Sequence, residues 1–497
     1  MAGLTRGTRA PSGYPRGVGA SRSAPRFAVH GPARTPPPNR KKPVAVSAET
    51  KERHLFGTDG IRGRYGTGWL APDPVSALGR AVGNVLGHAG TSRALVGHDG
   101  RRSGPTLEDA IGRGLSAAGF EVQSAGLITT PGLALLARTQ PFDLGVMISA
   151  SHNPASDNGI KIFGAQGEKL ADEVELAIEA ELERDASPVT EGNRPPHVAE
   201  LEEAYLAHLA AACDGLDLTG KVIVLDCANG GGSRVAPRIL GRLGARVVGI
   251  ACAPDGENIN EGCGSTHPEG LREAVRLHSA DLGIALDGDG DRCILVDEHA
   301  QLVDGDGILT ILARHMKNTG RLPGSRIVAT VMSNKGLHRA LGDADIEVVT
   351  VGVGDRRVVE ALRREELALG GEQSGHIVFG PENHFIGDGT YTALRVLQAM
   401  TESSRSLSEL AAPFQAYPQV LLNVPVASKP AFAEVPGVED AVAAAEDALA
   451  GDGRVLLRYS GTENLARVMV EGADQDEIRT LAGAIAKCIA AGIGSAE

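Results

Sequence analysis

Aromatic side chains are scarce, at 3% of 497 residues, although the apolar fraction as a whole, 42%, is that of an ordinary globular protein. No apolar run approaches the roughly 18 residues that cross a bilayer, and no signal-peptide core is present. A membrane partner is therefore not expected, and a cytoplasmic location is. The six cysteines, at 213, 227, 252, 263, 293 and 488, form no C-x-x-C pair. That spacing argues against a disulfide framework and for reduced thiols. Acidic residues are absent from positions 1–48, which carry nine Arg or Lys. This Pro-, Gly-, Ser- and Arg-rich head cannot bury enough apolar surface to offset its ordering entropy. Residues 1–52 are expected to be a disordered basic N-terminal extension. A transit peptide, or translated sequence upstream of the true start, are the other readings of the same composition. The remainder holds 40 basic against 62 acidic side chains, a poor surface for polyanions, so nucleic acid is not an expected partner.

From about Lys51 the chain alternates apolar runs with helical patterns. Ala94–Gly97, Phe120–Val122, Leu144–Ile148, Val222–Asp226 and Arg326–Val331 read as strands, and 106–118 and 171–184 as helices. Such alternation predicts α/β architecture, with mixed or parallel sheets covered by helices. A length near 500 residues allows three or four domains. The first is expected to end near residue 204, and a shorter closing section begins after Pro418.

The most informative stretch is Asp287-Gly288-Asp289-Gly290-Asp291. Three carboxylates two positions apart repel one another unless a cation is shared, and the glycines let the backbone curl until the acids converge. A hard divalent ion such as Mg2+ suits that oxygen set. A solvated acidic loop is the plain alternative. An EF-hand is excluded because Arg292 occupies the sixth position, where the sharp turn needs glycine. The flanking runs 281–286 and 293–296 also read as strands rather than helices.

Other loops carry chemistry of their own. Ser149-Ala150-Ser151-His152-Asn153-Pro154 follows a strand and either offers a hydroxyl to a ligand or forms a structural turn. No G-x-S-x-G or G-K-[ST] occurs, so neither a serine hydrolase nor a P-loop NTPase is indicated. Arg458-Tyr459-Ser460-Gly461-Thr462-Glu463-Asn464, with Arg467 beyond, groups guanidinium and hydroxyl donors around a glycine turn suited to phosphate, or forms a capped surface turn. In Glu372-Gln373-Ser374-Gly375-His376, an extended loop puts Glu372, Ser374 and His376 on one face, able to meet sugar hydroxyls. Phe56–Gly63 is a helix-breaking turn or brings Arg62 toward a phosphate.

The serine loop, the triple-aspartate loop, the Glu372–His376 loop and the Arg458–Glu463 loop, in that order along the chain, resemble those of the α-D-phosphohexomutase superfamily, over roughly residues 53–490. Phe56–Gly63, Asp157–Lys161, Pro254–Pro268, Val331–Asn334 and Val353–Arg356 are most similar to its bacterial branch acting on glucosamine phosphate. The resemblance implies three related mixed α/β domains plus a smaller C-terminal α+β domain around a central cleft. The expected division is 53–204, 205–303, 304–418 and 419–497. It implies that Ser151 bears a phosphoryl group, with Asp287, Asp289 and Asp291 holding one Mg2+ beside it. Lys161 and His376 become candidates for proton transfer, and Arg62 and His152 supports of the phosphoserine. Glu372 and Ser374 would bind sugar hydroxyls, Gln373 together with Asp355 and Arg356 would favour glucosamine phosphate, and Arg458, Ser460, Gly461, Thr462 and Arg467 would grip the non-reacting phosphate. The implied activity interconverts glucosamine 6-phosphate and glucosamine 1-phosphate through a 1,6-bisphosphate, which would also serve as activator. Its product would feed UDP-N-acetylglucosamine and cell-wall precursor synthesis. A phosphomannomutase or phosphoglucomutase with the same chemistry is the alternative. The expected partner is a small phosphosugar, and the expected state a monomer or homodimer. His98, Gly100, Arg357, Asn464 and Ala466 depart from the pattern, and Arg357, standing in place of tyrosine, bears on sugar selectivity.

Overall fold

Three of the four sheets repeat one strand order. In the computed structural model, which describes residues 54–57, 59–88, 90–460 and 464–494, the first sheet runs Ile61–Arg64, Asp157–Gly164, Leu144–Ile148, Ser92–His98, Phe120–Leu127. The second runs Leu302–Val303, Cys293–Asp297, Leu282–Leu286, Val222–Asp226, Arg246–Ala251. The third runs Glu347–Val351, Arg326–Thr330, Leu369–Gly371, Ile377–Phe379. In each, three parallel strands are followed by one antiparallel strand that returns through a hairpin. The expected basic extension lies outside the described residues.

The local sequence explains these elements. Leu282–Leu286 is buried at every position, as a strand covered by helices on both faces requires. Helices open on side-chain caps: Thr129 accepts from Gly132 N at 3.1 Å, and Asn334 from Gly336 N at 2.8 Å. The helix Glu200–Ala212 crosses residue 204 and packs on both Thr130–Thr139 and Val235–Arg242. One aliphatic core continues through the first three sheets, from Leu95 and Met147 through Leu225 and Leu286 to Leu309 and Phe379. The loops those sheets carry are thus mounted on a shared rigid body.

The fourth sheet is wholly antiparallel, in the order Gln419–Pro425, Leu465–Glu471, Arg454–Tyr459. The closing helix Gln475–Ile493 lays Ile478, Ala482, Ile485 and Ile489 on it, the spacing of one helical face. The architecture is α/β in three domains and α+β in the last. Among the described residues no helix is long and apolar enough to cross a membrane.

Candidate active site

Three of the loops singled out in the sequence are each the turn of one antiparallel hairpin, whereas Phe56–Gly63 leads into the edge strand Ile61–Arg64. Residues 149–156 join the two hairpin strands of the first sheet, 287–292 those of the second, and 372–376 those of the third. In the fourth sheet Arg454–Tyr459 and Leu465–Glu471, consecutive in the chain, pair antiparallel. Gly461 and Thr462 lie outside the described residues.

The acid loop and the serine loop are in contact. A Cβ on Gly288 would stand 2.5 Å from Ser151 O, and one on Gly290, whose φ is 74°, would stand 2.6 Å from Thr129 Cγ2. Only glycines fit between those neighbours. Ser151 Oγ donates to Asp287 Oδ2 at 2.7 Å, and His152 Nδ1 lies 3.3 Å from the same hydroxyl. Ser151 has φ 52°, a left-handed conformation that costs a non-glycine residue about 1–3 kcal/mol.

The surroundings hold it there. Arg101, fully buried, donates to the carbonyls of Ser151, Asn153, Pro154 and Asp157, while its Nε meets Asp99 Oδ2 at 2.9 Å. Asn260 Nδ2 donates to the Ser151 and Asn153 carbonyls at 2.9 and 3.0 Å. Asp99 Oδ2 also accepts from Ser149 Oγ at 2.6 Å, and Ser149 Oγ in turn accepts from Ser151 N at 2.8 Å. Arg101, Asp99 and Asn260 were not among the predicted site residues. The segment of Asn260 carried the resemblance, whereas Asp99 and Arg101 stand in the stretch where His98 and Gly100 depart from it, and a buried arginine buttress has no local sequence signature.

One ligand oxygen from each of Asp287, Asp289 and Asp291 lies within 4.8 Å of the others. Asp289 Oδ1 and Asp291 Oδ1 are buried without a hydrogen-bond partner. Burial, with the charges of Asp291 and Asp289, pushes the Asp287 carboxyl well above the usual range. Burial and Asp289 raise that of Asp291 as well. Orphaned oxygens and unrelieved repulsion are what a hard divalent cation would resolve, so the residues fit one. Burial also opposes ionisation of Asp289, yet Lys161, at 2.8 Å, and Thr130 hold its carboxyl below the usual range.

Lys161 lies 3.0 Å from Asp59 Oδ2 as well. Its burial disfavours charge, but Asp289, Asp59 and Asp291 hold the ammonium well above its ordinary pKa. His152 is depressed to about 4 by burial and by Arg292 and Arg62. A cleft of about 680 Å³ is lined by Arg62, His152, Asp291, Arg292, Asp355, Glu372 and His376. A smaller cavity of about 200 Å³ shares Asp291, Asp355 and His376 with it and adds Lys161, Lys169 and Arg356.

The loop 372–376 departs from expectation. Residues 372–376 are not extended: Gly375 N donates to Glu372 O, and Gly375 has φ 90°. Glu372 and His376 reach the cleft, whereas Ser374 is exposed and does not line it. The common face predicted from alternation is therefore absent, because a tight turn replaces it. Asp355 and Arg356 turn toward the first domain: Asp355 Oδ2 accepts from Lys169 at 2.6 Å, and Arg356 Nη2 donates to Leu170 O at 2.7 Å. Arg458 and Arg467 pair across the fourth sheet, and Ser460 O accepts from Lys429 at 2.8 Å. These three residues line neither cavity.

Fold and site together define a four-domain α/β protein in which three hairpin turns meet beside a carboxylate cluster fit for a divalent cation. The chain belongs to the phosphoglucomutase/phosphomannomutase family. Its alpha/beta/alpha domain I profile matches residues 53–188, domain II 203–301, domain III 304–417 and the C-terminal domain 421–488. The phosphoglucosamine mutase of Mycolicibacterium gilvum is 48% identical over 443 residues, covering 88% of this chain and 99% of that relative. That of Symbiobacterium thermophilum is 47% identical over 442 residues, covering 88% and 98%. Among solved structures, a phosphoglucomutase/phosphomannomutase family protein from Burkholderia thailandensis superposes with a TM-score of 0.73 at 24% identity, covering 88% of this chain and 97% of that one. The N-acetylphosphoglucosamine mutase of Aspergillus fumigatus, solved with GlcNAc-6P and magnesium, gives 0.60 at 20% identity, covering 89% and 96%. At such identities the structures attest the fold.

Proposed function

We propose that the chain is a phosphoglucosamine mutase, interconverting glucosamine 6-phosphate and glucosamine 1-phosphate through phosphorylated Ser151 and a bound 1,6-bisphosphate. The observation that carries this reading is the Ser151 hydroxyl 2.7 Å from Asp287, inside a cluster of three carboxylates. The near-complete coverage of the phosphoglucosamine mutases that it resembles at 47–48% identity supports the choice of sugar.

In the forward step a sugar hydroxyl attacks the phosphorus on Ser151. The new P–O bond forms as the bond to Ser151 Oγ breaks, and the hydroxyl proton passes to a base. After the bisphosphate turns over, its other phosphoryl group returns to Ser151 Oγ. Lys161 and His376 are the proton carriers in this scheme, and Lys161, kept charged by Asp289 and Asp59, enters as a donor. Arg62 and His152 support the serine loop. Glu372 holds sugar hydroxyls from the cleft wall, Asp355 lines the same cleft with Arg356 in the adjoining smaller cavity, and Ser374 follows only if the turn rearranges. Arg458, Ser460, Gly461, Thr462 and Arg467 of the fourth domain grip the far phosphate once that domain closes. Mg2+, held by Asp287, Asp289 and Asp291, supplies neutralisation of the phosphoryl charge when bound. The closed cleft of this scheme keeps water from the phosphoserine.

The four domains of this reading are 53–204, 205–303, 304–418 and 419–497, each contributing one loop. The reaction belongs in the cytoplasm, ahead of UDP-N-acetylglucosamine synthesis, with glucosamine 1,6-bisphosphate as activator. The test is a substrate panel on purified protein with Mg2+ and a trace of bisphosphate. Glucosamine 1-phosphate should turn over with higher kcat/KM than the glucose or mannose esters, and folded Ser151→Ala should not turn over. A preference for glucose or mannose would refute the substrate. Normal rates in Ser151→Ala would refute the covalent route.

A further inference from the structure

Five charges of alternating sign connect the third domain to the acid loop. Asp355 Oδ2 accepts from Lys169 Nζ at 2.6 Å, and the same ammonium donates to Asp59 Oδ1 at 2.6 Å. Asp59 Oδ2 lies 3.0 Å from Lys161 Nζ, which donates to Asp289 Oδ2 at 2.8 Å. Within this series the Lys169–Asp355 pair is the link between the first domain and the third. It follows the serine hairpin in the first domain, whereas Asp355 opens the helix Asp355–Arg364 in the third.

The chain extends beyond Asp355. Gly354, which caps that helix with φ 118°, donates its N–H to Glu372 Oε1 at 3.2 Å. The segment that Lys169 holds thus orients the carboxylate proposed to meet the sugar. Arg356 strengthens the junction by donating to Leu170 O and meeting Asp172. Both partners of Lys169 are carboxylates on separate elements, and a cation between two acids loses both contacts together when it is removed. Burial would lower the Lys169 ammonium, but Asp59 and Asp355 raise it above its ordinary value.

We propose that Lys169 is a positioning residue that latches the third domain onto the first and sets Glu372 at its working distance from the serine and acid loops. It touches no reacting atom. It acts through Asp355 and Gly354 on the sugar-binding wall, and through Asp59 on Lys161. This role deepens the mutase reading and rests on it.

The experiment compares Lys169→Met and Lys169→Arg with wild type in steady-state kinetics, calorimetric Mg2+ binding and thermal melting. Lys169→Met should raise KM for glucosamine phosphate roughly tenfold with kcat changed less than about threefold, as misplaced binding contacts do. Mg2+ affinity should stay within about threefold, because all three acid ligands remain. Lys169→Arg, whose fork can still bridge two carboxylates, should recover most of the KM. A lowered melting temperature with unchanged KM would overturn the proposal, as would an arginine variant as impaired as the methionine one. If wild type itself fails on glucosamine phosphate, the mutase reading falls instead.

Discussion

Replacing Gly288 by alanine adds one methyl group where the acid loop meets the serine loop. The new Cβ would stand 2.5 Å from Ser151 O, 2.8 Å from Asn260 Nδ2 and 3.0 Å from Ile259 Cδ1. Relief to an ordinary contact near 3.5 Å requires a displacement of about 1 Å. The Ser151 carbonyl cannot yield cheaply, since Arg101 and Asn260 both hold it at 2.9 Å. Overpacking of this kind costs about 1–3 kcal/mol of stability. A 1 Å error between a nucleophile and its surroundings can cost on the order of 100-fold in rate. All three carboxylates remain, so Gly288→Ala should bind Mg2+ in calorimetry while kcat falls about 100-fold. Thermal melting on the same preparation shows whether it is folded. A kcat within about twofold of wild type in this variant would refute the claim that these loops are in register with no spare room.

Arg101→Lys should lose about 3–5 kcal/mol in urea denaturation, because one ammonium cannot replace a fork that meets four carbonyls and Asp99. A loss below about 1 kcal/mol would contradict the buttress role. Asp306 is raised from 3.8 to about 7 by burial and then by Asp304, and its Oδ1 has no partner. Its folded-state pKa exceeds the unfolded value, so the stability tied to its proton is full below about pH 4 and is lost as pH rises through about 7. Asp306→Asn, which keeps an acceptor for Asn334 N, should therefore gain melting temperature relative to wild type between pH 4.5 and pH 8. Parallel curves over that range would exclude the effect.

What the sequence disclosed, and what it did not, follows from how far apart in the chain each interaction reaches. Val222–Asp226 and Leu282–Leu286 were legible as strands because burial on both faces demands unbroken apolar runs. The acid loop was legible because its three carboxylates lie within five residues. Arg101 and Lys169 were not, since their meaning depends on partners up to 56 and 186 positions away. The loop 372–376 misled for a different reason. Alternation at Glu372, Ser374 and His376 is a valid signal only along an extended backbone, and Gly375 at φ 90° closes a turn there. Glycine at that position was visible, and it outweighs the pattern: a Cβ would meet Cys293 O at 2.3 Å. The same argument applies to all four hairpins. A turn between two apolar strands is the one place where polar and glycine-rich sequence can stand next to a rigid core without leaving buried backbone unpaired. Repeating one strand order in three domains puts three such turns at equivalent sheet positions, so the family's site is assembled by packing domains rather than by any single segment. Residues that set the spacing between domains should then affect substrate affinity as strongly as those that touch the sugar.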